Sequence, residues 1–182
     1  MPNSTVNFET SLGDLEVEIF EDRVPKAAAY FLRLVEERYY DGLHFHRIAA
    51  PAFVELGCAN SRDPDHPRIG VAVYPYEERV EVAASLPNNK NELGTLAMHT
   101  GGYGVCFGSS RFIINAKPNY VHDSSELVFG VVSAGLEVVR TIVASKAIRE
   151  RPVNPILVSR VEVRDRRRQV GDGAHTTPVE IE

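Results

Sequence analysis

Tyr40-Asp41-Gly42-Leu43-His44-Phe45-His46-Arg47-Ile48, followed at once by Ala49-Ala50-Pro51-Ala52-Phe53, is the stretch on which the reading of this chain turns. Asp41-Gly42 is turn chemistry and ends the helical pattern before it. Residues 44–48 form a short β-rich run in which one arginine sits among apolar side chains. An obligatory cation is costly to bury, so the Arg47 guanidinium has to open onto a pocket or a partner. The bland alternative is an ion pair with a carboxylate on the rim of the fold.

Upstream, residues 6–20 read as a β-hairpin. Leu15, Val17 and Ile19 alternate with Glu16 and Glu18, and Leu12-Gly13-Asp14 supplies the turn. Pro25 stands where a first helical turn tolerates it. Ala28, Phe31, Leu32 and Val35 then follow at helical spacing, with Arg33, Glu36 and Glu37 on the opposite side. Downstream, no helix is read until about Phe129. Short strands are predicted at 44–48, 94–99, 111–114 and 127–132, separated by Gly, Pro, Asn and Asp clusters. A second helix is predicted over 135–145, burying Leu136, Val139, Ile142 and Val143, and a last strand over 156–163. Two helices framing many short strands predict an all-β domain, a closed antiparallel barrel, because closure removes exposed edges.

The segment 60–91 is rich in Pro, Asp, Asn and Glu around one apolar stretch, 69–74, and reads as a long loop carrying a strand of its own. Residues 1–5 and 165–182 are expected to be flexible ends around one domain at 6–164. Arg164 and Arg166-Arg167-Arg168 follow the last strand and read as a solvated terminal charge run. A net charge of −5 over 182 residues argues against a nucleic-acid module. Cys58 and Cys106 are far apart in no metal-type spacing and fit free thiols in a reducing compartment. With no basic-apolar leader and no apolar run of the ~20 residues needed to cross a bilayer, the expectation is a cytoplasmic monomer away from membranes.

Taken in order, Tyr40-Asp41-Gly42, Phe45-His46-Arg47, Phe53, Gly94-Thr95-Leu96-Ala97-Met98, Phe112-Ile113-Ile114-Asn115 and Val128-Phe129-Gly130 make the chain resemble the cyclophilins, the prolyl isomerases. The resemblance runs over most of the chain. It implies an eight-stranded antiparallel barrel capped by two α-helices, and a peptidyl-prolyl cis-trans isomerase acting on X-Pro bonds of peptides or proteins. It further implies Arg47 as the catalytic arginine and Phe53 as the floor of the proline pocket. Val54, Leu56, His99, Thr100, Arg111, Ile113, Val121, His122 and Glu126 fall at the remaining substrate-binding positions. Catalysis of this kind requires no nucleophile, metal or cofactor, because it is preferential binding of a twisted amide.

The departures from the family pattern bear on specificity. The spacer between Arg47 and Phe53 is one residue longer than usual. Val54 and Leu56 stand where Met and an arginine-orienting Gln are common, and Arg111 replaces a second Gln. Ile113 and Val121 replace aromatics, His122 a Leu, and Glu126 a His or Tyr. The pocket becomes more polar, and a second cation near Arg47 demands a counter-charge, for which Glu55, Glu126 and an acidic substrate are the candidates. Weak or altered isomerase activity is therefore expected. The alternative is a catalytically impaired module that binds a peptide or partner protein. Two lesser readings are a polar-ligand or metal site at His99, His122 and Glu126, and a Cys106–His99 nucleophilic pair; a packed thiol in a turn is the plainer account of Cys106.

Overall fold

The computed structural model describes residues 3–71, 75–81, 83–99 and 107–166. Strand β1 (Ser4–Thr10) turns back into β2 (Gly13–Ile19), with Thr10 and Gly13 the last paired residues. Alternation puts Val6, Phe8, Leu15, Val17 and Ile19 inside, each essentially inaccessible. Helix α1 (Pro25–Glu36) begins with proline in its first turn, and the free N–H groups of Lys26 and Ala27 donate to the Glu81 carboxylate at 2.9 and 3.1 Å. The helix lays Phe31 into an aromatic cluster with Phe129 at 5.0 Å, Tyr40 at 5.4 Å and Phe112 at 5.7 Å between ring centroids.

The chain then forms β3 (His44–Phe45), β4 (Arg47–Ala49) and β5 (Phe53–Leu56). After the long segment that carries β6 (Pro75–Arg79) come β7 (Thr95–His99), β8 (Phe107–Ser109), β9 (Phe112–Asn115) and β10 (Glu126–Ala134). Helix α2 (Leu136–Ala144), the hairpin of β11 (Ala147–Ile148) and β12 (Arg151–Pro152), and β13 (Ile156–Asp165) complete it. Gly135 enters α2 at φ +83, where an added Cβ would meet the Asp14 carbonyl oxygen at 2.4 Å.

The main sheet has nine strands in the order β3-β13-β1-β2-β10-β7-β9-β5-β4. Its two edge strands are consecutive in sequence and separated only by His46. Phe45 pairs with Ile156 on β13, while Ile48 pairs with Val54 on β5. Residues 44–49 are thus one strand broken at His46 that changes partner midway and closes the ring, which reconciles nine short strands with the eight-stranded barrel. Both predicted helices are present, α2 burying Val138, Val139 and Ile142 with Leu136 and Val143 packed at its margin.

Two boundaries differ from the sequence reading. The last strand continues to Asp165, carried on by its pairing with β1. The strand expected over 69–74 lies at Pro75–Arg79. Residues 69–71 are held instead in turn bonds, Ile69 N–H to the His66 carbonyl and Val71 N–H to that of Arg68, with Gly70 at φ +81; positions 72–74 lie outside the described residues, as do 1–2 and 167–182. Among the described residues no helix is long and apolar enough to cross a membrane.

Candidate active site

The outer face of the barrel carries one cross-strand row that runs Arg47, Glu55, Ile113, Ala97, Val128 over five adjacent strands. Beside it Phe53 pairs with Ala49 and Asn115. Because strand neighbours point to opposite faces, Phe53, Ala97, Ile113 and Val128 form an apolar cluster of their own outside the main core. Arg47 sits at the end of that cluster with its Cζ 5.0 Å from the Phe53 ring centroid. Its side chain is 43% exposed, so the cation is solvated on one side and lies against an aromatic face on the other.

The guanidinium is fixed at two points. Nε donates to Glu150 Oε2 at 2.7 Å, and Nη1 reaches Glu55 Oε2 at 3.5 Å. The hydrogen bond to Glu150 outweighs desolvation and holds Arg47 a still stronger cation than usual. Glu55 is buried, and its other oxygen accepts from Arg111 Nε at 2.8 Å and from Arg111 Nη2. His46 Nε2 lies 3.5 Å away. Burial pushes the Glu55 carboxyl up, but His46 and Arg111 together hold it down at about 2. Of the counter-charges considered for Arg111, Glu55 is the one in place.

This geometry corrects two assignments. Val54 and Leu56 are fully buried inside the barrel and belong to the main core, where a peptide cannot touch them. The longer spacer shifts the register by one, so the position facing the arginine is filled by Glu55. Gly57 ends the strand at φ +98, and an added Cβ there would stand 1.9 Å from the Ser110 carbonyl oxygen.

On the far side of Phe53, His122 packs edge-on against its ring, with centroids 5.9 Å apart at 88°. His122 Nδ1 lies 4.0 Å from Glu126 Oε1, and His99 Nδ1 hydrogen-bonds the same oxygen at 2.9 Å. That bond raises the His99 imidazole above its ordinary value, against the opposing effect of partial burial. Val121, on the short turn Tyr120–His122, is 80% exposed and stands in solvent. Thr100 and Cys106 lie outside the described residues. Among the described residues no group of three His, Cys, Asp or Glu is arranged to hold a metal ion.

The hairpin tip Arg149-Glu150 was read by no sequence signal, because Ile148-Arg149-Glu150-Arg151 looks like any solvated charged turn. Arg149 and Glu150 both take left-handed backbone, φ 50 and 64. Side chains other than glycine, asparagine and aspartate adopt that region at a cost of roughly 1–2 kcal/mol each. The Glu150 carbonyl accepts from Ile48 N–H at 2.7 Å, pinning the tip to the strand of Arg47. Between them opens a cavity of about 230 Å³ lined by His46, Arg47, Glu55, Ile69, Gly70, Arg111, Arg149, Glu150 and Arg151.

Residues 5–163 match the model of the cyclophilin type peptidyl-prolyl cis-trans isomerase/CLD family. The chain belongs to that family. It is similar to peptidyl-prolyl cis-trans isomerase ppi1 of Schizosaccharomyces pombe, 31% identical over 157 residues that cover 85% of this chain and 96% of the relative. Its likeness to peptidyl-prolyl cis-trans isomerase cypE of Dictyostelium discoideum is 28% over 159 residues, covering 87% and 96%. Among solved structures it resembles a Cryptosporidium parvum cyclophilin type peptidyl-prolyl cis-trans isomerase crystallised in the presence of the dipeptide Ala-Pro. The TM-score is 0.76 at 20% identity, covering 88% of this chain and 99% of that one. This cyclophilin is accordingly a peptidyl-prolyl cis-trans isomerase, with its family's barrel, as the order of its motifs implied.

Proposed function

We propose that Arg47 and Phe53 are the catalytic pair of this isomerase, carried by a domain at 6–164 that acts as a cytoplasmic monomer on exposed X-Pro segments. The observation that carries the reading is the placement of the Arg47 guanidinium 5.0 Å over the Phe53 ring at the edge of the outer apolar cluster. Rotation about an X-Pro bond faces a barrier of ~18–20 kcal/mol, because resonance gives the C–N bond partial double character. Twisting the amide ends that resonance and leaves a lone pair on the pyramidal nitrogen. Arg47 donates to it, favouring the twisted state over either planar one. Phe53 and Ile113 seat the proline ring, while His122, His99 and Glu126 bound it with polar groups and Arg111 meets the flanking peptide. With Nε on Glu150 and Nη1 on Glu55, the Nη2 edge has no partner among the described residues and is the edge offered to substrate. The Ala-Pro dipeptide present with the Cryptosporidium relative supports proline-containing peptides as ligands here.

Exchange NMR on a neutral proline peptide tests the reading. Arg47→Ala should lower kcat/KM by about 10²–10³, the scale of removing one transition-state donor, while peptide-induced shifts persist. Equal exchange by wild type and Arg47→Ala would remove Arg47 from the mechanism. The Glu150 carboxylate already on Arg47 favours a second reading, a binding module with an occupied arginine. Peptide shifts without exchange in the wild type would establish that one.

A further inference from the structure

The cavity beside Arg47 carries charge that the isomerase reading does not use. Among the described residues that line it, four guanidiniums, of Arg47, Arg111, Arg149 and Arg151, face two carboxylates, of Glu55 and Glu150. Its described lining therefore carries two excess positive charges on a chain whose net charge is −5. Glu55 is shared by Arg111 and Arg47, and Glu150 is held by Arg47. Arg151 gives its Nη2 to the carbonyl oxygens of Pro64 and His66, which fixes its direction but neutralises nothing. Among the described residues Arg149 has neither a carboxylate nor a carbonyl partner.

The backbone sharpens the point. A two-residue hairpin with both central residues at positive φ is the natural place for Asn-Gly. Arginine and glutamate occupy it at a conformational cost, and strain kept at the edge of a site points to a use for the side chains. Glycine there would relax the turn and delete the unpaired cation.

We propose that this cavity is a subsite for the carboxylate of an aspartate or glutamate lying close to the prolyl bond of the bound peptide, recognised by Arg149 and Arg151. Glu150 then acts as the resident anion that holds Arg47 when no acidic peptide is present. The subsite rests on the assignment of the neighbouring Arg47–Phe53 surface as the proline site. Arg111 is not assigned to it, since its Nε and Nη2 both donate to Glu55.

The test is a pair of measurements on one peptide series, identical except for Glu or Gln at each position flanking the proline. Dissociation constants come from chemical-shift titration, and turnover from exchange NMR. At low salt the wild type should bind one Glu-containing peptide about tenfold more tightly than its Gln counterpart, a preference that fades with added salt. Arg149→Asn, which suits the left-handed turn, should cut that ratio severalfold, as should Arg151→Gln. A preference in binding without any turnover would keep the subsite and overturn the isomerase mechanism at Arg47. Turnover with equal affinity for Glu and Gln peptides would overturn the subsite and keep the mechanism. A ratio unchanged in both variants would also overturn it, because the preference would then lie elsewhere.

Discussion

Arg47 and Glu55 are direct partners across β4 and β5, with Nη1 and Oε2 3.5 Å apart, and Glu55 is the buried member of the pair. The carboxylate thus sits beneath the arginine and joins it to Arg111. Its folded value of about 2, against an ordinary 4.5, makes it a source of pH-dependent stability. A depressed carboxyl contributes fully above the unfolded value and loses that contribution as pH falls through the folded one. The stabilisation, on the order of 3 kcal/mol, should therefore be complete at pH 7 and disappear between about pH 4.5 and pH 2. Urea unfolding of wild type and Glu55→Gln across that window checks it. The variant should lose roughly 1.5–3 kcal/mol at pH 7 and show a flatter acid limb. Parallel acid limbs would contradict the assignment.

Glu150→Gln should leave stability within about 0.5 kcal/mol of wild type, because both partners of the Arg47–Glu150 pair are close to half exposed. Acidic proline peptides should nevertheless bind about threefold to tenfold more tightly once the resident anion is gone. Unchanged affinity in a titration at low salt would show that Glu150 does not compete for Arg47.

His99 should titrate above the usual histidine value, because Glu126 stabilises its charged form. A raised imidazole contributes stability that is full below the unfolded value and lost as pH rises through the folded one. Glu126→Gln should bring the His99 midpoint back down when followed by ring-proton NMR. A midpoint that does not move would mean the hydrogen bond at 2.9 Å does not persist in solution.

Leu56→Ala separates core from site. Removing a fully buried leucine should cost about 2–5 kcal/mol in denaturant unfolding while the folded variant keeps the wild-type peptide dissociation constant. A large change in affinity without loss of stability would return Leu56 to the binding surface.

The fold was legible because its signals are local. Pro25 with the Ala28-Phe31-Leu32-Val35 spacing marks one helix, and alternation in the first hairpin marks two strands. The order of short motifs supplies the rest. The outer site was legible only in part. Arg47, Phe53, His122 and Glu126 come together beside one cluster, but Val54 and Leu56 were displaced by a single extra residue between Arg47 and Phe53. Since strand faces alternate with period two, Phe53 and Glu55 share the outer face of β5 while Val54 and Leu56 point into the main core. Glu150 and Arg149 were illegible for another reason. Their role depends on a contact across 103 positions, and nothing in a short charged turn reports which strand its tip will meet.

The change of partner at His46 has a consequence for when this protein becomes an enzyme. The strand of Arg47 takes one neighbour from β5, made early in the chain, and the other from β13, made almost last. The anchoring carboxylate at Glu150 is also supplied only by the final third of the chain. A chain emerging from synthesis therefore carries its arginine and its aromatic floor long before either is held in place. Ring closure and the maturation of the site are then a single late event, and anything that loosens the seam at His46 should silence the site while most of the barrel is still standing.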